Sequence, residues 1–199
     1  LVHAGASSPA ALEIRAWLRQ HHRGRGRVLV QDWILAEHLA WATELPILGG
    51  LDERNVHHVD AHLFRWHPDG DLPGEALREY LERYAVGFVV VHNLKPALEW
   101  RKDLLQFRAL VGGNRIYETR LAPSWFAAGT GRLTGQGLNS LRFSEVSGAT
   151  AVLRFHWMET LRCRPGCRVE RQPVPGDRVG FLRVEAPPHD FEIYNSYHF

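Results

Sequence analysis

The sequence predicts an α/β N-terminal part with a mostly parallel sheet, Rossmann-like but without a nucleotide motif, followed by a C-terminal antiparallel β-sandwich. Three observations predict it. Helix-like and strand-like segments alternate up to about residue 120. The run Val86-Gly87-Phe88-Val89-Val90-Val91 is apolar on both faces, as a central parallel strand is. Beyond residue 120 the apolar period shortens to two, and turns punctuate the chain at Ser147-Gly148, Pro165-Gly166, Pro175-Gly176 and Pro187-Pro188. The two domains are expected at 1–122 and 123–199, with the Gly-rich stretch Pro123 to Gly137 linking them.

Each element has a local reason. Ser8-Pro9 suits an N-cap and first helical position, and Leu12, Ala16, Trp17 and Leu18 give a helical stripe that ends at Gly24 and Gly26. Arg27 to Val30 reads as a short strand. Asp32 can cap the next helix, with Ile34, Leu35, Leu39 and Trp41 expected inward. Pro46-Ile47-Leu48 is a second strand, closed by Gly49-Gly50. Residues 51 to 73 read as a long polar excursion, and loops of that length are usually functional or mobile. Leu77, Tyr80, Leu81 and Tyr84 then fall at i, i+3, i+4 and i+7, one face of a helix. After the Val86–Val91 strand, Pro96 starts another expected helix with Trp100, Leu104 and Phe107 inward. A strand is expected next, at 109–111 or 115–120. In the second part Ala151, Leu153, Phe155 and Trp157 alternate with Val152, Arg154 and His156, and the runs around Val179, Phe181, Phe191 and Ile193 follow the same period.

Composition narrows the function. The 199 residues are 45% hydrophobic and 23% charged, the balance of a globular chain able to bury a core. Twenty-four basic against 22 acidic residues leave a net charge of +2, which gives no electrostatic pull toward nucleic acid. No apolar run approaches the ~20 residues of a spanning helix. The chain opens at Leu1 without a signal-like segment, and it is read as a processed piece of something longer.

Nucleotide chemistry has no footing. The strand Arg27 to Val30 runs through Gln31-Asp32 straight into Trp33, with no glycine cradle for a pyrophosphate; Gly24 and Gly26 lie on the wrong side of it. No cofactor is expected. Parallel strands would instead gather Asp32, the Gly49-Gly50 turn, His92 and Asn93 at their carboxyl ends, with Glu44 and Arg54 able to join them. His57, His58, Asp60 and His62, with His67 nearby, put imidazoles beside a carboxylate. They suit a ligand contact, a metal site on His58, Asp60 and His62, or plain structural hydrogen bonding. Among the indoles Trp33, Trp41, Trp66, Trp125 and Trp157, Trp66 is the least core-like and the best placed to stack on a sugar face. Cys163 and Cys167 flank Arg164-Pro165-Gly166, a turn that can bring their Cα atoms within disulfide range; a disulfide is expected, with two free thiols or a shared metal as the alternatives.

The run Glu82 to Asn93, together with Leu45 to Gly50 and the Arg27 to Asp32 strand, resembles segments in the water-facing tails of large multi-span bacterial membrane proteins. These are the 6-pyruvoyl-tetrahydropterin synthase-related membrane proteins, with the YfhO-like and glycosyltransferase-C-like families around them. Val152 to Trp157, Gly180 to Val184 and Phe191 to Asn195 are similar to the small β domain closing such chains. The resemblance implies an extracytoplasmic domain at the periplasmic face of the inner membrane. Its partners would be the transmembrane portion of the parent and a saccharide or lipid-linked sugar. No catalytic residue carries over. The expected function is therefore non-catalytic binding or positioning, at Asp32, Glu44, Arg54, His57, His58, Trp66, His92 and Asn93. The alternatives are a metal-assisted hydrolase or transferase using the 57–62 cluster, and an interaction module without a small ligand.

Overall fold

A computed structural model describes residues 8–50, 61–137 and 139–197. Arg54, His57, His58 and Asp60 lie outside these residues. The chain divides between Pro123 and Ser124 into two compact units.

The first unit runs α1 (Pro9–His21), β1 (Arg27–Val30), α2 (Trp33–Ala42), β2 (Ile47–Leu48), α3 (Leu63–Trp66), α4 (Ala76–Arg83), β3 (Val86–His92), α5 (Pro96–Glu99), β4 (Leu105–Val111) and β5 (Asn114–Thr119). The Ser8 hydroxyl accepts the Ala11 N–H at 3.2 Å, and Pro9 occupies the first turn, so α1 starts where its capping chemistry places it. Among the described residues its strands form a five-stranded sheet in the order β2-β1-β3-β5-β4. Val28, Val30, Phe88 and Val90 share one face with Ile14 and Leu18 of α1 and Leu35, Ala36 and Leu39 of α2. Strand alternation turns Leu29, Val89 and Val91 to the opposite face. β3 is buried from Val86 through Val91, as a strand covered on both faces must be.

The mostly parallel sheet is corrected here. β1 pairs in parallel with β2 and β3, but β5 lies antiparallel to both β3 and β4. The cause is Gly112-Gly113, whose φ values of 52° and 76° make a two-residue hairpin turn between β4 and β5. The helix expected from Pro96 stops at Glu99; Leu104 is buried as expected, but Phe107 sits on β4 and, like Trp100, is exposed. Ile34 and Trp41 also point outward. Seven residues apart they share a helix face, but that face is turned away from the buried Leu35, Ala36 and Leu39. In α1 the buried residues are Ala11, Ile14 and Leu18, with Leu12 exposed.

The second unit is all strand: β6 (Phe126–Gln136), β7 (Ser140–His156), β8 (Leu161–Arg164), β9 (Val169–Val174), β10 (Asp177–Glu185) and β11 (Phe191–Asn195). β6 therefore occupies most of the expected linker. The expected sandwich is overturned as well, because the six strands form one antiparallel sheet, not two. The reason lies in β7. One of its sides pairs with β6 between Leu141 and Leu153, while the other pairs with β11 at residues 140–143 and with β10 at residues 150–156. Left-handed Glu145 and the positive φ of Gly148 bend it between these sets. The sheet coils until its end strands β8 and β9 touch, a nearly closed barrel. Phe126, Phe143, Ala151, Leu153, Leu182, Val184, Phe191 and Ile193 fill it. Trp125 and Trp157 pack half-buried against that core. Cys163 and Cys167 form a disulfide, with Cα atoms 5.2 Å apart, that closes the turn after β8. With strand outweighing helix across the described residues, the chain is mostly β.

Candidate functional site at the carboxyl edge of the mixed sheet

Parallel pairing sets Val30 beside Val90 and Leu29 beside Leu48, so the carboxyl ends of β1, β2 and β3 share one edge of the first unit. Gln31, the first residue beyond β1, organises that edge. Its main-chain N–H donates to the Val90 carbonyl at 2.9 Å. Its Oε1 accepts the His92 N–H at 3.1 Å, and its Nε2 donates to the Pro68 carbonyl at 3.1 Å. One amide thus ties the end of β1 to the end of β3 and to the loop after α3.

The residues around it are each held. Asp32 caps α2, its Oδ1 accepting the Leu35 N–H at 2.7 Å. Lys95 Nζ donates to Asp69 at 2.9 Å, joining the turn after β3 to the loop after α3. His67 and Asp71 form a second pair in that loop at 3.5 Å. Asn93 takes a left-handed φ of 67°, a conformation asparagine tolerates better than most residues, and turns the chain out of β3. At the end of β2, Gly49 has φ 151°, and a Cβ there would meet the Val30 carbonyl at 2.9 Å and Ala36 Cβ at 3.0 Å. Only glycine fits this approach.

Below the edge, His62 is buried, with Nε2 donating to the Val30 carbonyl at 2.8 Å. Tyr80 clamps the same segment: its hydroxyl donates to the Ala61 carbonyl at 2.8 Å and accepts the Leu63 N–H at 3.1 Å. Burial pushes the Tyr80 phenol far up, so it stays a neutral donor. α3 then carries Trp66 to the surface, with the Arg65 guanidinium 5.3 Å from its ring centroid.

The structure therefore brings Asp32, His92 and Asn93 to the edge to which Gln31 also ties the loop that follows Trp66. It leaves Glu44 elsewhere: α2 starts at the carboxyl edge and runs back, so Glu44, just before β2, lies at the amino ends of the strands. Of the proposed metal set, only His62 is described, and its Nε2 proton is directed at a backbone carbonyl. Among the described residues no group of three or more His, Cys, Asp or Glu is arranged to hold a metal.

Gln31 is absent from the expected site residues, although its position one residue past an apolar strand marks it as an edge group. A second polar cluster was also missed. Glu99 Oε1 accepts from Arg115 Nε at 3.0 Å, from Arg115 Nη2 at 2.6 Å and from the Tyr117 hydroxyl. Arg115 lies opposite Val91 and Tyr117 opposite Val89, on the half of β3 nearest the same edge. The Tyr117 hydrogen bond, with Arg115 behind it, holds the Glu99 carboxyl below the usual glutamate range. Burial pushes the Tyr117 phenol up to about 12. The alternation of Arg115, Tyr117 and the apolar Ile116 between them was the available signal, but Glu99 comes from a different element.

The arrangement is a set of turns tied together by Gln31, with Asp32, His92 and Asn93 at the strand ends and an exposed indole, Trp66, two residues before the Pro68 that Gln31 holds. Such a set suits a neutral polyhydroxylated ligand, through ring stacking and hydrogen bonds. Comparison with protein-family models, curated proteins and solved structures returned no significant match. No helix among the described residues is long and apolar enough to cross a membrane.

Proposed function

We propose that the chain is a non-catalytic, ligand-positioning domain on the periplasmic side of a multi-span bacterial membrane protein. The edge around Gln31 takes a saccharide or the head group of a lipid-linked sugar. The observation that carries this reading is the tie, through the Gln31 side chain, between His92 at the end of β3 and Pro68, two residues beyond exposed Trp66 at the end of α3. The Cys163–Cys167 disulfide supports an oxidising compartment. The resemblance of the Glu82 to Asn93 run to membrane-protein tails supports the parent class.

The test is a glycan array followed by calorimetric titration of the best binders. Trp66→Ala is expected to weaken binding about tenfold, the loss of one stacking contact. Absence of any saccharide that binds the wild-type chain, or equal affinity of Trp66→Ala, sinks the reading. One observation favours a second reading, an interaction module without a small ligand. Among the described residues β4 pairs along one side only, with β5, and it exposes Phe107 and Leu110. A saccharide-dependent rise in Tm distinguishes the first reading from the second.

A further inference from the structure

The fully buried core of the second unit comes from β6, β7, β10 and β11. From β8, β9 and the turn between them it draws no fully buried member, only the half-buried Leu161, Cys163, Cys167 and Val169 packed against it. Among the described residues β8 has a single ladder partner, β11, over Leu161–Asn195, Arg162–Tyr194, Cys163–Ile193 and Arg164–Glu192. No ladder joins β8 to β9 there. The start of β8 is fastened at the Thr160 carbonyl, which accepts the Ser196 N–H at 2.9 Å and the Ser196 hydroxyl at 2.7 Å. Its end is fastened covalently. Cys163 is bonded to Cys167, and the chain after Cys167 enters β9, which pairs with β10 from Val169 to Val174. Arg164 Nε also donates to Glu192 at 2.7 Å, but at 63% exposure such an ion pair contributes little.

We propose that the Cys163–Cys167 bond is a redox-sensitive fastening: its reduction frees β8 from β11 while the core on β6, β7, β10 and β11 stays folded. A four-residue strand with half-buried contacts belongs to the least stable part of a sheet. Cutting the covalent tie gives its far end more freedom and removes the constraint that holds it in register with β11. Arg164, Pro165 and Gly166 in the turn are exposed, so a small dithiol reaches the sulfurs. One thiolate of the dithiol attacks a cysteine sulfur; the Cys163–Cys167 bond breaks and a mixed disulfide forms. The second thiolate attacks that mixed disulfide, releasing the protein thiolate and closing the dithiol into a cyclic disulfide. Two electrons pass from the dithiol to the protein, and protonation leaves Cys163 and Cys167 as thiols. Release uncovers the side of β11 that faces β8, with the N–H and C=O groups paired there. The device belongs to the second unit alone, and saccharide binding by the first is not needed for it.

The experiment is amide hydrogen exchange of the full chain, oxidised and after dithiothreitol treatment under native conditions, with thiols counted by iodoacetamide labelling. Amides of residues 161–164 are expected to exchange about tenfold faster or more once both thiols label. Amides of Leu153 and Leu182, in the core strands, are expected to keep their protection, and reoxidation to restore that of β8. Cys163→Ser/Cys167→Ser is expected to match the reduced wild type and to ignore the dithiol. Should that variant fail to fold, the oxidised and reduced wild type decide alone. A bond that dithiothreitol leaves intact in the native protein overturns the proposal, as does unchanged exchange across 161–164 after reduction. Protection lost at Leu153 and Leu182 as well also overturns it, by making the disulfide a staple of the whole unit.

Discussion

The Gln31 side chain accepts the main-chain N–H of His92 at 3.1 Å, so the ends of two parallel strands are joined by a side chain beyond the point where their backbone ladder stops. Its other end holds the Pro68 carbonyl. Gln31→Ala is expected to cost about 1 kcal/mol, since water replaces part of both bonds at this accessible position. Hydrogen exchange is the sharper measurement: the His92 amide should exchange faster, with buried β3 amides such as Val89 unchanged. Unaltered exchange at His92 would show that the bridge does not order the edge.

Gly49→Ala is expected to destabilise by about 1–3 kcal/mol, because the added methyl meets the Val30 carbonyl in a backbone conformation that costs L-residues. Urea denaturation reads it. Gly24→Ala is the comparison: its φ of 73° lies in the left-handed region and no atom lies within 4 Å of the new methyl, so it is expected to cost less than Gly49→Ala.

Acid should weaken the first unit through Glu99. Its folded carboxyl titrates below the unfolded value, so the unfolded state binds the proton more readily. The contribution is fully present above the unfolded glutamate value of about 4.3 and is lost as pH falls through the lower folded one. Glu99→Gln is expected to flatten the fall in urea midpoint across this window. A parallel fall in wild type and variant would remove Glu99 from the acid response.

Reduction, or Cys163→Ser/Cys167→Ser, opens a short loop, with only three residues between the two cysteines. Loop-closure entropy for so short a ring amounts to about 2 kcal/mol. Fluorescence-detected unfolding with and without reductant checks the value. The double serine variant should show no further response to reductant.

Much of the first unit was legible because its elements are set by local chemistry. Ser8-Pro9 and Asp32 announce helix starts that the backbone adopts, and the Leu77, Tyr80, Leu81, Tyr84 spacing matches the buried side of α4. Sheet direction was harder to read. Parallel or antiparallel pairing of β5 depends on whether Gly112-Gly113 closes a hairpin, which the helical spacing of Trp100, Leu104 and Phe107 just before it obscures. The inward assignment of Ile34 and Trp41 failed because periodicity identifies a shared face without saying which face meets the core. At the edge, Asp32, His92 and Asn93 follow from the rule that loops gather beyond parallel strands. Glu44 fell to the other end because α2 carries the chain back across the sheet. Gln31 stayed hidden because its role depends on His92 and Pro68, dozens of residues away.

The divided allegiance of β7 has a consequence for synthesis. Residues 140–143 find β6 on one side at once, yet the strand on their other side is β11, some fifty positions later. β8, formed in between, also waits for β11 as its neighbour. Until residues 191–195 emerge, a nascent chain holds two open ladders of donors and acceptors, templates for pairing with a foreign strand. The hazard ends only when that last short segment slots between them.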